Sequence, residues 1–198
     1  MKEEISQKLE LHKNWVDTQG EQGEQLYITE EDLHECDFSH MNLVDAILPE
    51  VNFSYAQFVD TDMTYSNLAS SNFYMANLTG AQLTKAGADY ASFERAVLVN
   101  LKAFRATFIS ANFKSANLMG ANLSRALFSG TNLECANLEN ADLTSASLKQ
   151  CNLYGINLKG AKGIDTVKLD WINIGPEYAP RKIGDDEAKE WLVAAVNQ

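Results

Sequence analysis

No stretch of this 198-residue chain approaches the run of about eighteen apolar residues that a membrane helix needs, so no membrane partner is expected. The start, Met1-Lys2-Glu3-Glu4, is acidic and no apolar segment follows it. A secretory signal is therefore not expected, and the chain is placed in the cytoplasm. Cysteine is scarce: Cys36, Cys135 and Cys151 show no Cys-x-x-Cys spacing, and an odd number at wide gaps argues against a disulfide framework or a zinc site. Also absent are a nucleophile elbow, a glycine-rich phosphate loop and paired metal-ligand motifs. No catalytic, metal-binding or cofactor-binding residue is assigned, and the chain is expected not to be an enzyme.

Positive charge is also in short supply, since the net charge is −11, but the deficit is local. Residues 1–50 carry thirteen acids and three bases, a net of −10, whereas residues 51–130 carry four acids and six bases, a net of +2. Residues 131–198 return to −3. The acidity belongs to the N-terminal segment and not to the middle of the chain.

What is abundant is a period of five. Every fifth residue from Leu33 to Leu158 gives 26 sites, of which fifteen are Leu, eight Phe and one Met63; only Ala88 and Ala103 break the set. Two residues earlier, fifteen sites are Ala and seven more are Ser, Thr, Cys or Val. The residue between them is Asn or Asp sixteen times. An α-helix would scatter such a set around its cylinder, and a strand would turn half of it to water. The chain must instead turn a corner once per five residues, so that four corners close a square coil of twenty with the central residues inside.

These residues, in runs such as Ala116-Asn117-Leu118 and Ala121-Asn122-Leu123, resemble the Ala-(Asp/Asn)-Leu-x-x signature of the pentapeptide-repeat family. The resemblance covers residues 31–160 without an insertion. It implies an all-β solenoid, a right-handed quadrilateral β-helix of about six to seven coils. At roughly 4.8 Å per coil the rod is about 31 Å long. In this register Phe53, Phe73, Phe93 and Phe113 form an interior aromatic stack, and neighbouring large side chains such as Phe108 fill the space left by Ala88 and Ala103. Cys36 points inward while His34 and His40 point outward, so these three do not converge on a metal.

Both ends carry candidate capping helices. Residues 1–30 read as an N-terminal helix and linker, with Ile5, Leu9, His12, Trp15 and Val16 on one stripe over residues 3–17. Residues 161–198 read as a strand or loop, in which Val167, Leu169 and Trp171 alternate, followed by a helix capped by Asp185. The apolar face of that helix, Ala188, Trp191, Leu192, Ala195 and Val196, either covers the last coil or pairs with a second chain, and relatives that pair through C-terminal elements favour a homodimer.

Two outward strips are candidate interaction surfaces. Lys85, Arg105 and Arg125 occupy equivalent positions in successive coils and, with Lys102, form a basic ladder suited to an acidic or phosphate-bearing partner. Val59, Val99 and Met119 form a flat, mildly apolar strip, and Phe104 is a candidate anchor. The reading favoured is a non-enzymatic scaffold that binds an unidentified protein through its faces or terminal helices. The alternative, implied by the resemblance, is a DNA-mimicking inhibitor or protector of DNA gyrase, a type II topoisomerase. The net positive middle of the chain and its lack of interrupting loops count against that alternative. Three or four bases on an acidic rod give little phosphate neutralisation, so direct nucleic-acid binding is not expected.

Overall fold

The computed structural model describes residues 3–197. Residues twenty apart meet through single parallel bridges, beginning with Tyr27 and Ile47 and continuing to Asp142 and Lys162. Each side of the square therefore contributes one bridged residue to a ladder running up the rod. At each corner a tight turn closes, as in Cys36 N–H donating to the Leu33 carbonyl (3.3 Å) and Ala86 N–H to the Leu83 carbonyl (3.0 Å). The third residue of each turn from Glu30 to Gln150 takes φ of +53° to +62° wherever it is not glycine. A left-handed conformation costs a non-glycine residue roughly 1–2 kcal/mol. Hydrogen bonds between coils offset it: Glu35 N–H donates to Ser54 O, Tyr55 N–H to Tyr74 O and Arg95 N–H to Lys114 O, each at 2.9 Å.

The interior is continuous. Phe53, Phe73, Phe93 and Phe113 stack in succession with ring centroids 5.1, 4.9 and 4.7 Å apart. Phe38 and Phe58 join this column by edge contacts at its lower end, and Phe108 and Phe128 join it higher up. Ala88 and Ala103 are fully buried beside it. The inward corner position takes small residues for a second reason, visible where it is polar. Thr61, Ser71 and Thr131 donate their hydroxyls to the carbonyls of Phe38, Leu48 and Phe108 at 2.8, 2.7 and 2.6 Å. Cys151 repeats the arrangement with its thiol toward Phe128 O (2.7 Å), and burial pushes that thiol up to about 12. Outside, the asparagines that precede the central residues bond to one another between coils, as in Asn152 to Asn132 (3.1 Å) and Asn137 to Asn117 (3.2 Å).

Helix α1 (Glu3–Asp17) lies over the first coil with Ile5 and His12 buried. Leu26 N–H donates to His12 Nδ1 (3.0 Å), and the imidazole stacks on Trp15 with centroids 5.7 Å apart. At the other end the twenty-residue register breaks. A 3₁₀ turn at Ile164–Thr166 adds one residue, so Ser147 bridges Lys168 and Asn152 bridges Asn173. Gly163 precedes the turn at φ +74°, and a Cβ there would come within 2.4 Å of Thr144 Cα. The strand β1 (Trp171–Asn173) follows and pairs antiparallel with β2 (Lys182–Gly184). Val167 and Leu169 precede the strand and are not part of it.

Helix α2 (Asp185–Val196) runs directly out of β2. Asp185 is its first residue and not its cap: Gly184 holds the cap position without a side-chain bond, and Asp185 N–H is taken by the Asp170 carbonyl (2.9 Å). Ala188 and Leu192 are fully buried, Trp191, Ala195 and Val196 pack around the same core, and Gly160 N–H reaches the Val196 carbonyl (3.2 Å). The apolar face of α2 thus covers the last coil of its own chain.

Candidate interaction surface

The sides of the coil are numbered here by their central residues in one coil: Phe53 marks the first side, Phe58 the second, Met63 the third and Leu68 the fourth. On the second side the outward bridged positions run Asp37, Gln57, Asn77, Val97, Asn117, Asn137 and Asn157, without charge from Gln57 onward. Tyr55 and Met75 stand at the corner entering this side, followed in the next coil by the exposed Arg95, and Val59, Val99 and Met119 at the corner leaving it, where Asp60 follows Val59. Tyr55 (47% exposed), Met75 (43%), Val97 (38%) and Met119 (39%) therefore gather along one side of the rod, where Val59 and Val99 are half-buried. The spacing singled out Val59, Val99 and Met119. It missed Tyr55, Met75 and Val97, whose columns hold mixed residue types and carry no sequence signal beyond their outward register.

The third side carries the bases. Its outward column runs Asp62, Gln82, Lys102, Asn122, Asp142, and its following corner holds Lys85, Phe104, Arg105 and Arg125. Lys85, Arg105 and Arg125 are left-handed corner residues with φ of +57°, +59° and +59°. Their backbone N–H groups are fixed to Phe104 O, Ser124 O and Thr144 O in the next coil. Phe104 is half-buried, because the Arg105 and Arg125 guanidiniums lie 5.3 and 5.9 Å from its ring centroid. The ring lies beneath both arginine side chains. Lys85 Nζ donates to the Tyr65 hydroxyl (2.8 Å). Among the described residues no ion pair involves Lys85, Lys102, Arg105 or Arg125.

Concave space among the described residues includes several shallow clefts. One of about 400 Å³ lies where the C-terminal hairpin leans on the first side, lined by Lys114, Asn132, Glu134, Asn152, Trp171 and Lys182 among others. Its polar groups are occupied with one another. Lys114 pairs with Glu134 (2.9 Å), which holds the ammonium more firmly protonated than usual, and Asn132, Asn152 and Asn173 bond in a row. The Lys182 ammonium sits 4.0 Å over the Trp171 ring. His34 Nδ1 rests on Asp32 Oδ1 (3.0 Å), a contact that lowers the Asp32 pKa. Among the described residues no cluster of His, Cys, Asp or Glu is arranged to hold a metal ion, and no helix is long and apolar enough to cross a membrane.

The pentapeptide-repeats family model matches the chain in eight copies, over residues 32–68, 62–100, 105–125 and 121–160. No curated protein matches the chain. Among solved structures, trypsin-treated QnrB1, a plasmid-mediated fluoroquinolone resistance protein, is similar at 18% identity with a TM-score of 0.52, over 88% of this chain and 92% of that one. HetL, a pentapeptide-repeat protein involved in heterocyst differentiation regulation in the cyanobacterium Nostoc, is 23% identical over 79% of this chain and 90% of its own, with a TM-score of 0.28. A pentapeptide-repeat protein of the Arabidopsis thaliana thylakoid lumen is 24% identical over 58% and 69%, again with a TM-score of 0.28. With its period, its corners and its buried columns accounted for residue by residue, the chain belongs to the pentapeptide-repeat family, whose members form right-handed quadrilateral β-helices.

Proposed function

We propose that this protein is a non-enzymatic scaffold that binds a protein partner through the second side of its rod. The observation that supports the reading is the strip of Tyr55, Met75, Val97 and Met119, exposed along one side whose bridged column carries no charge from Gln57 to Asn117, with Arg95 and Asp60 at its edges. Exposed apolar surface gains from burial against another protein, about 25 cal/mol per Å² removed from water. The rigid ladder beneath it means that little order is lost on binding. The partner is expected to present a largely apolar surface to this strip. A homodimer is the other occupant to test, and because Ala188 and Leu192 are buried within their own chain, it would form through the outer part of α2 or through this side.

The test is affinity capture from the source cells with the wild type and with the triple variant Tyr55→Asn, Val97→Asn, Met119→Gln. Asparagine suits both a left-handed corner and the bridged column, so the melting temperature should stay within a few degrees. A partner retained by the wild type and at least ten-fold depleted with the variant is the expected result. Equal retention by both proteins would overturn the reading.

A second reading is occupation of the DNA-binding groove of a type II topoisomerase. It is supported by the acids on the outward positions of the first coils, Asp32, Asp37, Asp45, Glu50, Asp60 and Asp62, on a rod that shares its fold with QnrB1. The unpaired bases of the third side oppose it. A DNA gyrase supercoiling assay, with the protein titrated to tens of micromolar, is expected to show no inhibition. Inhibition at stoichiometric protein would establish the topoisomerase reading instead.

A further inference from the structure

Two independent features of the third side have no role in the apolar contact. The first is charge. Lys85, Lys102, Arg105 and Arg125 fall in three successive coils, and neither the side nor its following corner contains a carboxylate between Asp62 and Asp142. The protein carries 27 acids against 16 bases, yet these four bases have no ion-pair partner among the described residues. The second is geometry. One ring, Phe104, is shared by guanidiniums from adjacent coils. An arginine laid on an aromatic face keeps its N–H edge available for a carboxylate while its rotamer is already selected. The Tyr65 hydroxyl holds Lys85 in the same way at the end of the row.

We infer that this side docks a short acidic segment of a protein partner, in extended form, with its glutamate or aspartate carboxylates seated on Arg105, Arg125 and Lys85. The inference rests on the scaffold reading and adds the chemistry of one contact.

Charge complementarity selects the occupant. Successive coils are about 4.8 Å apart, so the outermost bases of the corner are about 10 Å apart. An extended peptide lying along the rod brings alternate side chains about 6.7 Å apart onto one face, so two or three carboxylates span the patch. A longer polyanion overruns it. It meets Asp45 and Asp62 at one end and Asp142 at the other, all within a screening length of about 8–10 Å. The patch therefore accepts a short carboxylate segment and disfavours a nucleic-acid duplex.

The probe is a fluorescein-labelled peptide in which four glutamates alternate with valines, titrated into the full chain at low salt and followed by anisotropy. Arg105→Glu with Arg125→Glu is expected to weaken binding at least ten-fold at an unchanged melting temperature, and Phe104→Leu several-fold through loss of the platform. Rising salt should weaken the wild type. Undetectable binding of the probe, equal affinity in the charge-reversed variant, or competition by a 20-base-pair duplex as effective as that by unlabelled peptide would each overturn the inference. The triple variant of the second side should bind the probe as the wild type does. Capture can then be lost while peptide binding persists, or the reverse, which separates failure of this contact from failure of the scaffold reading.

Discussion

Phe93→Ala is expected to destabilise the rod by about 3–5 kcal/mol, toward the upper end of the range for a buried phenylalanine. The cost of such a truncation depends on how far the surroundings collapse into the space. Here they are held. Phe93 stacks between Phe73 (4.9 Å) and Phe113 (4.7 Å), each bridged into its own coil, and meets the edge of Phe108 (5.9 Å). Two of the central residues nearest in the register, Ala88 on the fourth side and Ala103 on the third, carry only a methyl group that cannot swing into the space. In a stacked-repeat protein each coil is stabilised mainly by its neighbours, so damage in the middle also uncouples the two halves. Chemical denaturation followed by circular dichroism should show a lower midpoint and a broader transition. Tyr90→Ala, which removes a ring that is 68% exposed, is the control and should stay within about 0.5 kcal/mol of the wild type. A loss below about 1.5 kcal/mol for Phe93→Ala would mean that the column repacks, contrary to this account.

Acidification is expected to release α1 before the rod unfolds. His12 is fully buried, and its Nδ1 accepts the Leu26 N–H, so the docked imidazole is the neutral form carrying its proton on Nε2. Nε2 itself has no hydrogen-bond partner among the described residues. Adding a proton at Nδ1 would turn the acceptor into a second donor facing an N–H. Burial lowers the His12 pKa below its ordinary 6.5, and the Asp45 carboxylate opposes that shift only in part. The sign follows: a base with a depressed folded pKa contributes its stability above the unfolded value and loses it as pH falls from about 6.5 toward the folded one. Hydrogen exchange at Leu26 and the emission of Trp15 should both report release below that pH, while amides of the middle coils remain protected. His12→Asn keeps an acceptor at the Nδ1 position but does not titrate, so it should flatten the pH dependence. An unchanged pH profile in that variant would assign the effect to another group.

The repeat register was legible because a five-residue step fits neither helix nor strand, and because steric exclusion at the inward positions leaves Leu, Phe and Ala little competition. The aromatic column followed from the twenty-residue alignment of Phe53, Phe73, Phe93 and Phe113. The reach of the ladder was less legible. Tyr27 bridges Ile47 because a bridge needs only backbone, and Ile28 fills a central site ahead of the first leucine. Beyond Leu158 one extra residue at the 3₁₀ turn moves the register, so Asn173 continues the asparagine row where a strict count finds none. On the surface, the register assigned Lys85, Arg105 and Arg125 to one column. The Phe104 ring beneath two guanidiniums was hidden, since that contact depends on rotamers in two different coils. The cap of α2 was misread from Asp185 because the helix follows β2 with no intervening loop to supply a capping side chain.

The near-identical corners also separate two properties that most folds tie together, length and orientation. Removing twenty consecutive residues from the middle would shorten the rod by one coil and leave every column in phase. Removing five would instead turn everything beyond the cut by a quarter revolution, so that the C-terminal hairpin and α2 would stand over a different side. A lineage built on this plan has an indexed shaft: whole-coil duplications set the distance between the two ends, and single-repeat changes set the angle at which one end is presented relative to the other.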